Sequence, residues 1–194
     1  MPDRRRVLLN APNLVTMLRI VLIPLIVAVF YLPDAWLAPD GKNLAATAIF
    51  IVAAVTDWLD GWLARKLNQM SAFGAFFDPV ADKLVVVGAL VILLYLNRLD
   101  MVVGLIIIGR EIAISALREW MAQLGQAKSV AVAFIGKLKT TAQMVAIPLL
   151  LYEDPLFGIV DCHGLGTVLI YVAALLTVIS MLYYLRRALP LMGA

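Results

Sequence analysis

The sequence predicts an all-α membrane protein with six transmembrane helices, and three observations support this fold class. Of the 194 residues, 63% are hydrophobic and only 15% are charged, and the mean hydropathy is +0.96. Soluble domains carry about 25% charged residues, so most of this chain has no surface suited to water. The long apolar stretches approach the roughly 20 residues that a helix needs to cross a bilayer. They are apolar on every face, whereas the strands of a transmembrane barrel would alternate.

Six stretches come close to the length of a membrane span, and residues that break helices separate them. The predicted spans are 14–32, 44–64, 72–97, 101–121, 130–151 and 165–186. The predicted connections contain Pro33, Pro39 and Gly41, then Asn97 to Asp100, then Asp154 to Gly166. One adjacent pair in the last connection, Cys162 and His163, is the chain's only cysteine and only histidine, which excludes a disulfide framework and a Cys/His metal site.

The positions of the lysines and arginines predict the orientation of the spans. With a cytoplasmic N-terminus, 14 of the 16 basic residues fall at or near the inner side, and only Lys42 and Arg98 fall outside. Both termini are therefore predicted to be cytoplasmic. No cleavage site follows the first apolar stretch, so we expect that stretch to stay in the membrane. No repeat or second soluble region is visible, and a single domain over residues 1–194 is predicted.

Four carboxylates lie within 26 residues of apolar sequence, at Asp57, Asp60, Asp78 and Asp82. A charge inside a bilayer costs at least about 2.5–3.5 kcal/mol, so such residues are candidates for function. The first two are spaced i,i+3 and the last two i,i+4, so each pair shares a helix face. We expect the two faces to meet. Because Pro79 follows Asp78, two arrangements of the third helix are possible. The helix begins near Ser71 and bends beside Asp78, or Asp78 is the N-cap and Pro79 is the first helical residue.

Four carboxylates in one pocket would repel each other unless protons or cations neutralise them. In sequence, only Arg65 and Lys83 lie close by, which is too little positive charge. Mg²⁺ and Mn²⁺ prefer oxygen ligands, and two such ions suit carboxylates that handle phosphate. Gly61, Ala64 and Gly74 remove bulk where a ligand or a neighbouring helix approaches, although small residues at this spacing are often plain helix packing. Arg65 is equally typical of an anchor at the membrane interface.

Together these residues form a pattern of eight specified positions, Asp57-x2-Asp60-Gly61-x2-Ala64-Arg65-x8-Gly74-x3-Asp78-x3-Asp82. This pattern resembles the complete signature of the CDP-alcohol phosphotransferases. The flanking stretches NLVTMLRIVLIPLIV, GREIAISALREWMAQLG and VAVAFIGKLKTTAQMVAIPLLL are similar to bacterial members of that family that use glycerol 3-phosphate.

The resemblance implies a six-helix fold, a homodimer, and a polar cavity open to the cytoplasm at the bacterial inner membrane. It implies that Asp57, Asp60, Asp78 and Asp82 bind two divalent cations, Mg²⁺ or Mn²⁺, and that Asp82 is the general base. Asp57, Gly61, Ala64 and Arg65 would line the pocket for the CDP moiety. In the reaction so implied, the 1-hydroxyl of sn-glycerol 3-phosphate attacks the β-phosphorus of CDP-diacylglycerol and CMP leaves. The partners are these substrates and membrane phospholipids, with no nucleic acid.

Four further basic residues predict the site of the phosphorylated acceptor: Arg110, Arg118, Lys137 and Lys139. They lie on one predicted side of the membrane, and Arg110 is deeper in its apolar stretch than an anchor needs to be. Arginine offers paired donors and lysine a point charge to a phosphate. The alternative is that they are anchors or partners of Glu111 and Glu119.

Other functions are compatible with parts of the pattern. The signature alone does not separate glycerol 3-phosphate from inositol phosphate, serine or phosphatidylglycerol as the acceptor. A cation channel or carrier also uses carboxylates. A carrier would need polar residues along a path through several helices, whereas the outer halves of these segments are apolar.

Overall fold

The computed structural model of the chain describes residues 11–67, 72–125 and 134–192. Within these ranges the chain is helical, which confirms the predicted all-α class. The six helices are α1 (Ala11–Tyr31), α2 (Pro39–Leu67), α3 (Ala72–Tyr95), α4 (Met101–Gln123), α5 (Phe134–Tyr152) and α6 (Cys162–Met192). The only β pairing in the described ranges is one isolated bridge between Leu156 and Val160.

Three helices in the described part of the chain are long and apolar enough to cross a membrane. The qualifying segments are Asn13–Tyr31 in α1, Phe134–Tyr152 in α5 and Cys162–Pro190 in α6. Only 22% to 33% of each segment is buried within the protein, and large apolar side chains such as Val21 and Leu175 are more than 60% exposed. An apolar surface this extensive is covered by lipid rather than by water.

Three helices begin earlier than predicted: α1 begins at Ala11 rather than 14, and the starts of α2 and α6 have local explanations. α2 begins at Pro39 rather than near residue 44, so Pro39 and Gly41 belong to the helix and not to a connection. Proline fits the first turn of a helix because its missing N–H has no intrahelical partner there. α6 begins at Cys162, because the Oδ1 atom of Asp161 accepts a hydrogen bond from the Gly164 amide at 2.9 Å and caps the first turn. Cys162 and His163 are therefore helical, and their prediction as loop residues was wrong.

Pro79 lies inside α3, which runs without interruption from Ala72. The helix therefore begins well before Asp78. This agrees with the first of the two predicted arrangements and excludes Asp78 as an N-cap. Pro79 is exposed, so its ring is accommodated on the outer side of the helix.

The chain divides into two compact units, of which the first contains Met1–Leu93 and Leu151–Asp154. Here α1 packs against α2. The core includes Ile26 of α1, Phe50 of α2 and Leu90 of α3, each at most 1% exposed. At Gly88 of α3 a Cβ atom would lie 2.9 Å from the Ile23 side chain of α1, so the glycine permits close approach of these helices.

The second unit contains Leu94–Leu150 and Pro155–Ala194. Here α4 packs against α6. A hydrophobic cluster joins the two helices and consists of Ile114, Leu117, Met121, Tyr184 and Ala188. Tyr184 is fully buried in it.

Candidate active site

Arg19 of α1 connects two signature aspartates that lie on different helices. Its Nη1 atom donates a hydrogen bond to Oδ1 of Asp57 on α2 at 2.9 Å, and the same nitrogen contacts Oδ1 of Asp82 on α3. The two carboxylate oxygens are therefore no more than two hydrogen-bond lengths apart. Asp57 of α2 and Asp82 of α3 therefore lie close together, as predicted for the helix faces that carry them.

Thr16, one turn before Arg19 on α1, contacts a third signature aspartate. Its hydroxyl donates a hydrogen bond to Oδ1 of Asp78 on α3 at 2.6 Å. Residues three apart on a helix share a face, so one face of α1 holds side chains from both α2 and α3. The first helix is thus part of the aspartate cluster.

Burial differs sharply between the arginine and the carboxylates. The Arg19 side chain is 1% exposed, whereas those of Asp57 and Asp82 are each 46% exposed. The positive charge is at the back of the cluster and the carboxylates are at its open side. An incoming ligand can therefore reach the carboxylates without displacing the protein core.

The other half of the signature falls where side chains are not described. Asp60, Gly61, Ala64 and Arg65 lie within α2, but their side chains are outside the described part of the structure. Among the described side chains, no group of three or more histidines, cysteines, aspartates and glutamates is close enough to hold a metal ion. The described donors are carboxylate oxygens, a ligand type that suits Mg²⁺ and Mn²⁺.

The expectation that too little positive charge lies near the aspartates needs a correction, because it considered only neighbours in sequence. Arg19 is 38 residues from Asp57 and 63 from Asp82, yet it contacts both. It neutralises one of the three described carboxylate charges. Asp57, Asp78 and Asp82 thus outnumber Arg19 three to one, which is compatible with bound cations.

A second polar cluster surrounds Tyr184 of α6 in the other unit. The guanidinium of Arg110 lies 5.9 Å from the centre of the Tyr184 ring, and that of Arg118 lies 5.3 Å from it. Arg118 Nη2 also donates to the Tyr184 hydroxyl at 3.3 Å, and Arg110 Nη2 donates to the Ser180 hydroxyl at 3.0 Å. Cation–π contact and hydrogen bonds together orient both arginines.

Glu111 joins a third basic residue to this cluster. Its Oε1 atom accepts hydrogen bonds from Lys139 Nζ of α5 and from Arg110 Nη1, the latter at 3.4 Å. Lys139 is buried, whereas Lys137 is exposed. Three of the four predicted acceptor residues therefore converge. The predicted partnership with Glu111 is also present.

The charge of this cluster does not balance. Arg110, Arg118 and Lys139 contribute three positive charges against one negative charge from Glu111, which leaves a net charge of +2. Within the described residues, the Nε atoms of both arginines are buried and have no hydrogen-bond partner. Buried donors with excess positive charge form a site suited to an anion with several oxygens.

Sequence reasoning missed four residues of these clusters, namely Arg19, Thr16, Ser180 and Tyr184. Arg19 was interpreted only as a basic residue near the inner side of the membrane. A usable signal existed, because it lies within the first predicted span, where any charge is a candidate for function. Thr16, Ser180 and Tyr184 gave no such signal, since uncharged polar side chains are common in transmembrane helices.

Comparison with known proteins supports the resemblance seen in the sequence. The family model described as CDP-alcohol phosphatidyltransferase matches residues 9–179. Curated proteins from Shigella flexneri serotype 5b (strain 8401) and Escherichia coli (strain K12) are each 51% identical to the chain over 181 residues. These alignments cover 92% of this chain and 94% of each relative, and both relatives are named CDP-diacylglycerol–glycerol-3-phosphate 3-phosphatidyltransferase. The chain belongs to the CDP-alcohol phosphatidyltransferase family.

Proposed function

We propose that the protein transfers the phosphatidyl group of CDP-diacylglycerol to sn-glycerol 3-phosphate, giving phosphatidylglycerol phosphate and CMP. The observation that carries this proposal is the complete signature, in a chain 51% identical over almost its whole length to proteins named for that reaction. The arrangement of Arg19, Asp57 and Asp82 is consistent with it, because it presents half-exposed carboxylates on a buried support.

The donor site is proposed to lie at the aspartate cluster. Two divalent cations, Mg²⁺ or Mn²⁺, would be held by Asp57, Asp60, Asp78 and Asp82, whose donor atoms are all carboxylate oxygens. When bound, such ions would supply positive charge that offsets the charge developing on the leaving group. Asp57 would also line the pocket for the CDP moiety, together with Gly61, Ala64 and Arg65 of α2.

The chain's own contribution to the reaction is to orient the nucleophile and to accept its proton. The 1-hydroxyl oxygen of the acceptor forms a bond to the β-phosphorus, and the bond from that phosphorus to the oxygen bridging it to the α-phosphorus breaks. CMP leaves with that bridging oxygen. Asp82 would accept the hydroxyl proton, for which its carboxylate must be unprotonated and in hydrogen-bond reach. Its exposed position at the cluster makes it accessible to the acceptor.

The acceptor's phosphate is proposed to bind at Arg110, Arg118, Lys137 and Lys139. The uncompensated charge of the Tyr184 cluster supports this assignment, because the donor brings no second phosphomonoester for these residues to bind. Arg110, Arg118 and Lys139 would contact the phosphate from the buried side. Lys137 is exposed and would contribute a mobile charge at the rim.

For the whole protein, we propose one domain over residues 1–194 with six membrane spans and both termini in the cytoplasm. The active site would face the cytoplasm of a bacterial inner membrane, and the protein would be a homodimer. The distribution of 14 of the 16 basic residues supports this orientation. The three helices that qualify as spans by length and composition are compatible with it.

The experiment that tests this function is an acceptor panel. The purified protein in detergent receives CDP-diacylglycerol and Mg²⁺ with sn-glycerol 3-phosphate, inositol phosphate, serine or phosphatidylglycerol, and the lipid products are read by mass. Phosphatidylglycerol phosphate should form, and the other acceptors should give little product. Preferential use of another acceptor would assign the protein to a different reaction of the same family.

A further inference from the structure

We propose that Arg19 is an internal counter-ion that holds Asp57 and Asp82 together until a divalent cation binds, and that it competes with that cation for their oxygens. This inference rests on the proposed metal dependence of the enzyme. It adds a role for a residue of α1, which lies outside the signature on α2 and α3.

The position of one nitrogen atom is the first argument. Nη1 of Arg19 contacts Oδ1 of Asp57 and Oδ1 of Asp82 at the same time. A divalent cation shared by Asp57 and Asp82 would draw on the same two carboxylates and would place a second positive charge beside the guanidinium. Arg19 and the cation therefore oppose each other at these side chains.

The burial of Arg19 is the second argument. Basic residues that anchor a helix at the membrane surface extend their charged ends into water. Arg19 is 1% exposed, so it does not act as such an anchor. A buried charge is strongly destabilising without an anionic partner, and the aspartates provide that partner. In the absence of metal, Arg19 in turn relieves the repulsion between the two carboxylates.

Thr16 gives the contrast that makes the proposal specific. It contacts Asp78 from the same face of α1, but it carries no charge. A residue that only orients an aspartate supports metal binding, so its removal should weaken binding or leave it unchanged. A residue that competes by charge should weaken metal binding whenever it is present.

Titration of Mn²⁺ into the purified full-length protein, without donor or acceptor, tests the competition. Free Mn²⁺ is measured by electron paramagnetic resonance for wild type, Arg19→Gln, Thr16→Val and Arg186→Gln. Arg186 is an exposed arginine of α6, so its variant controls for loss of one positive charge. Arg19→Gln should bind Mn²⁺ on the order of tenfold more tightly than wild type, because a positive charge has left the ligand pair. The Arg186 variant should stay close to wild type. Thr16→Val should bind Mn²⁺ no more tightly than wild type, because it loses only an uncharged contact to Asp78.

The outcomes separate this inference from the function on which it rests. If wild type binds Mn²⁺ and Arg19→Gln binds it no more tightly, the counter-ion role is refuted and the metal-dependent function stands. If neither protein binds Mn²⁺, the proposed metal dependence fails and this inference fails with it.

Stability gives a second measurement that does not depend on activity. In chelator, Arg19→Gln should have a lower thermal midpoint than wild type, because Asp57 and Asp82 lose the guanidinium group that they share. In the presence of Mn²⁺ the two thermal midpoints should be equal, because the ion supplies the missing positive charge. If the variant does not fold in chelator, purification in Mn²⁺ should rescue it. Equal failure to fold with and without Mn²⁺ would overturn the proposal.

Discussion

Asp82 is the residue whose side chain the proposed reaction uses most directly. Replacing it with asparagine keeps the shape of the side chain but removes the proton acceptor and one anionic oxygen. Loss of a general base typically lowers the rate about 10²–10⁴-fold. Asp82→Asn should therefore reduce kcat by at least about 10²-fold. Release of CMP from CDP-diacylglycerol in the presence of glycerol 3-phosphate provides the measurement.

Asp34→Asn is the matched control for Asp82, because Asp34 lies in the connection between α1 and α2, is 73% exposed and forms an ion pair with Lys42 of α2. The same chemical change there should leave kcat nearly unaltered, because Asp34 is not part of the aspartate cluster. An Asp82→Asn enzyme within about threefold of wild type, well below the usual effect of losing a general base, would require another residue as the base.

Arg118 is the residue that best separates binding of the acceptor from binding of the donor. In Arg118→Ala the phosphate loses one charge-assisted hydrogen-bond donor, worth about 1.5–3 kcal/mol. The KM for glycerol 3-phosphate should rise roughly ten- to hundredfold, while the KM for CDP-diacylglycerol should change little. Steady-state kinetics in which each substrate is varied separately measure both constants. Lys137→Ala should act in the same direction.

Arg186→Ala serves as the control for lost charge near the Tyr184 cluster, because Arg186 is an exposed residue two positions after Tyr184. It should leave both KM values unchanged. If Arg118→Ala raises the KM of the donor and not that of the acceptor, the basic cluster belongs to the donor or to the lipid surface.

The four signature aspartates could be predicted from the sequence, whereas the contacts that Arg19 makes with two of them could not. Charges are rare in apolar helices, and i,i+3 and i,i+4 spacing is a local property, so Asp57, Asp60, Asp78 and Asp82 were recognisable. The contacts of Arg19 join positions 38 and 63 residues apart. No periodicity encodes such a pairing. It follows only from how the helices pack.

The existence of the six helices could be predicted from the sequence, but several of their first residues could not. Twenty-residue apolar stretches are strong signals, and a helix is described within every predicted span. The ends depend on single capping contacts, such as the one that Asp161 makes with Gly164 before α6. Glycine and proline near residue 40 predicted a connection, but at the first turn of a helix these residues are tolerated.

Asp100 allows a test of one such cap. Its Oδ1 atom accepts hydrogen bonds from the amides of Val102 at 2.8 Å and Val103 at 3.2 Å, at the start of α4. Asp100→Ala should destabilise the protein by about 0.5–2 kcal/mol, because these two amides lose their partner. A lower thermal midpoint in detergent is the expected result. Asp100→Ser should retain most of the stability, and equal midpoints for the alanine variant and wild type would show that the cap contributes nothing.

At the scale of the whole molecule, the exposed surface requires lipid and the aspartate cluster requires cations. Apolar residues are exposed along α1 and α6, as expected for a protein surrounded by acyl chains. Arg19 contacts two aspartates, Asp57 and Asp82, whose carboxylates are open to an incoming cation. Both features are consistent with an enzyme that acts on a lipid diphosphate at the membrane surface.

Removal of metal should abolish turnover reversibly. In excess chelator, the purified protein should release no CMP from CDP-diacylglycerol, because the clustered carboxylates repel the diphosphate unless cations are present. Addition of Mg²⁺ or Mn²⁺ beyond the chelator should restore the rate. Full turnover in excess chelator would contradict the proposed two-cation site.

The stoichiometry of the reaction tests the proposed phosphatidyl transfer directly. It is measured by ³¹P nuclear magnetic resonance on one sample that contains purified protein, CDP-diacylglycerol, sn-glycerol 3-phosphate and Mg²⁺. We expect the diphosphate signals to disappear while CMP and phosphatidylglycerol phosphate appear in equal amounts, and we expect no CMP when glycerol 3-phosphate is omitted. CMP release that does not depend on glycerol 3-phosphate, or CMP formed without the matching lipid product, would show that the protein does not catalyse this transfer.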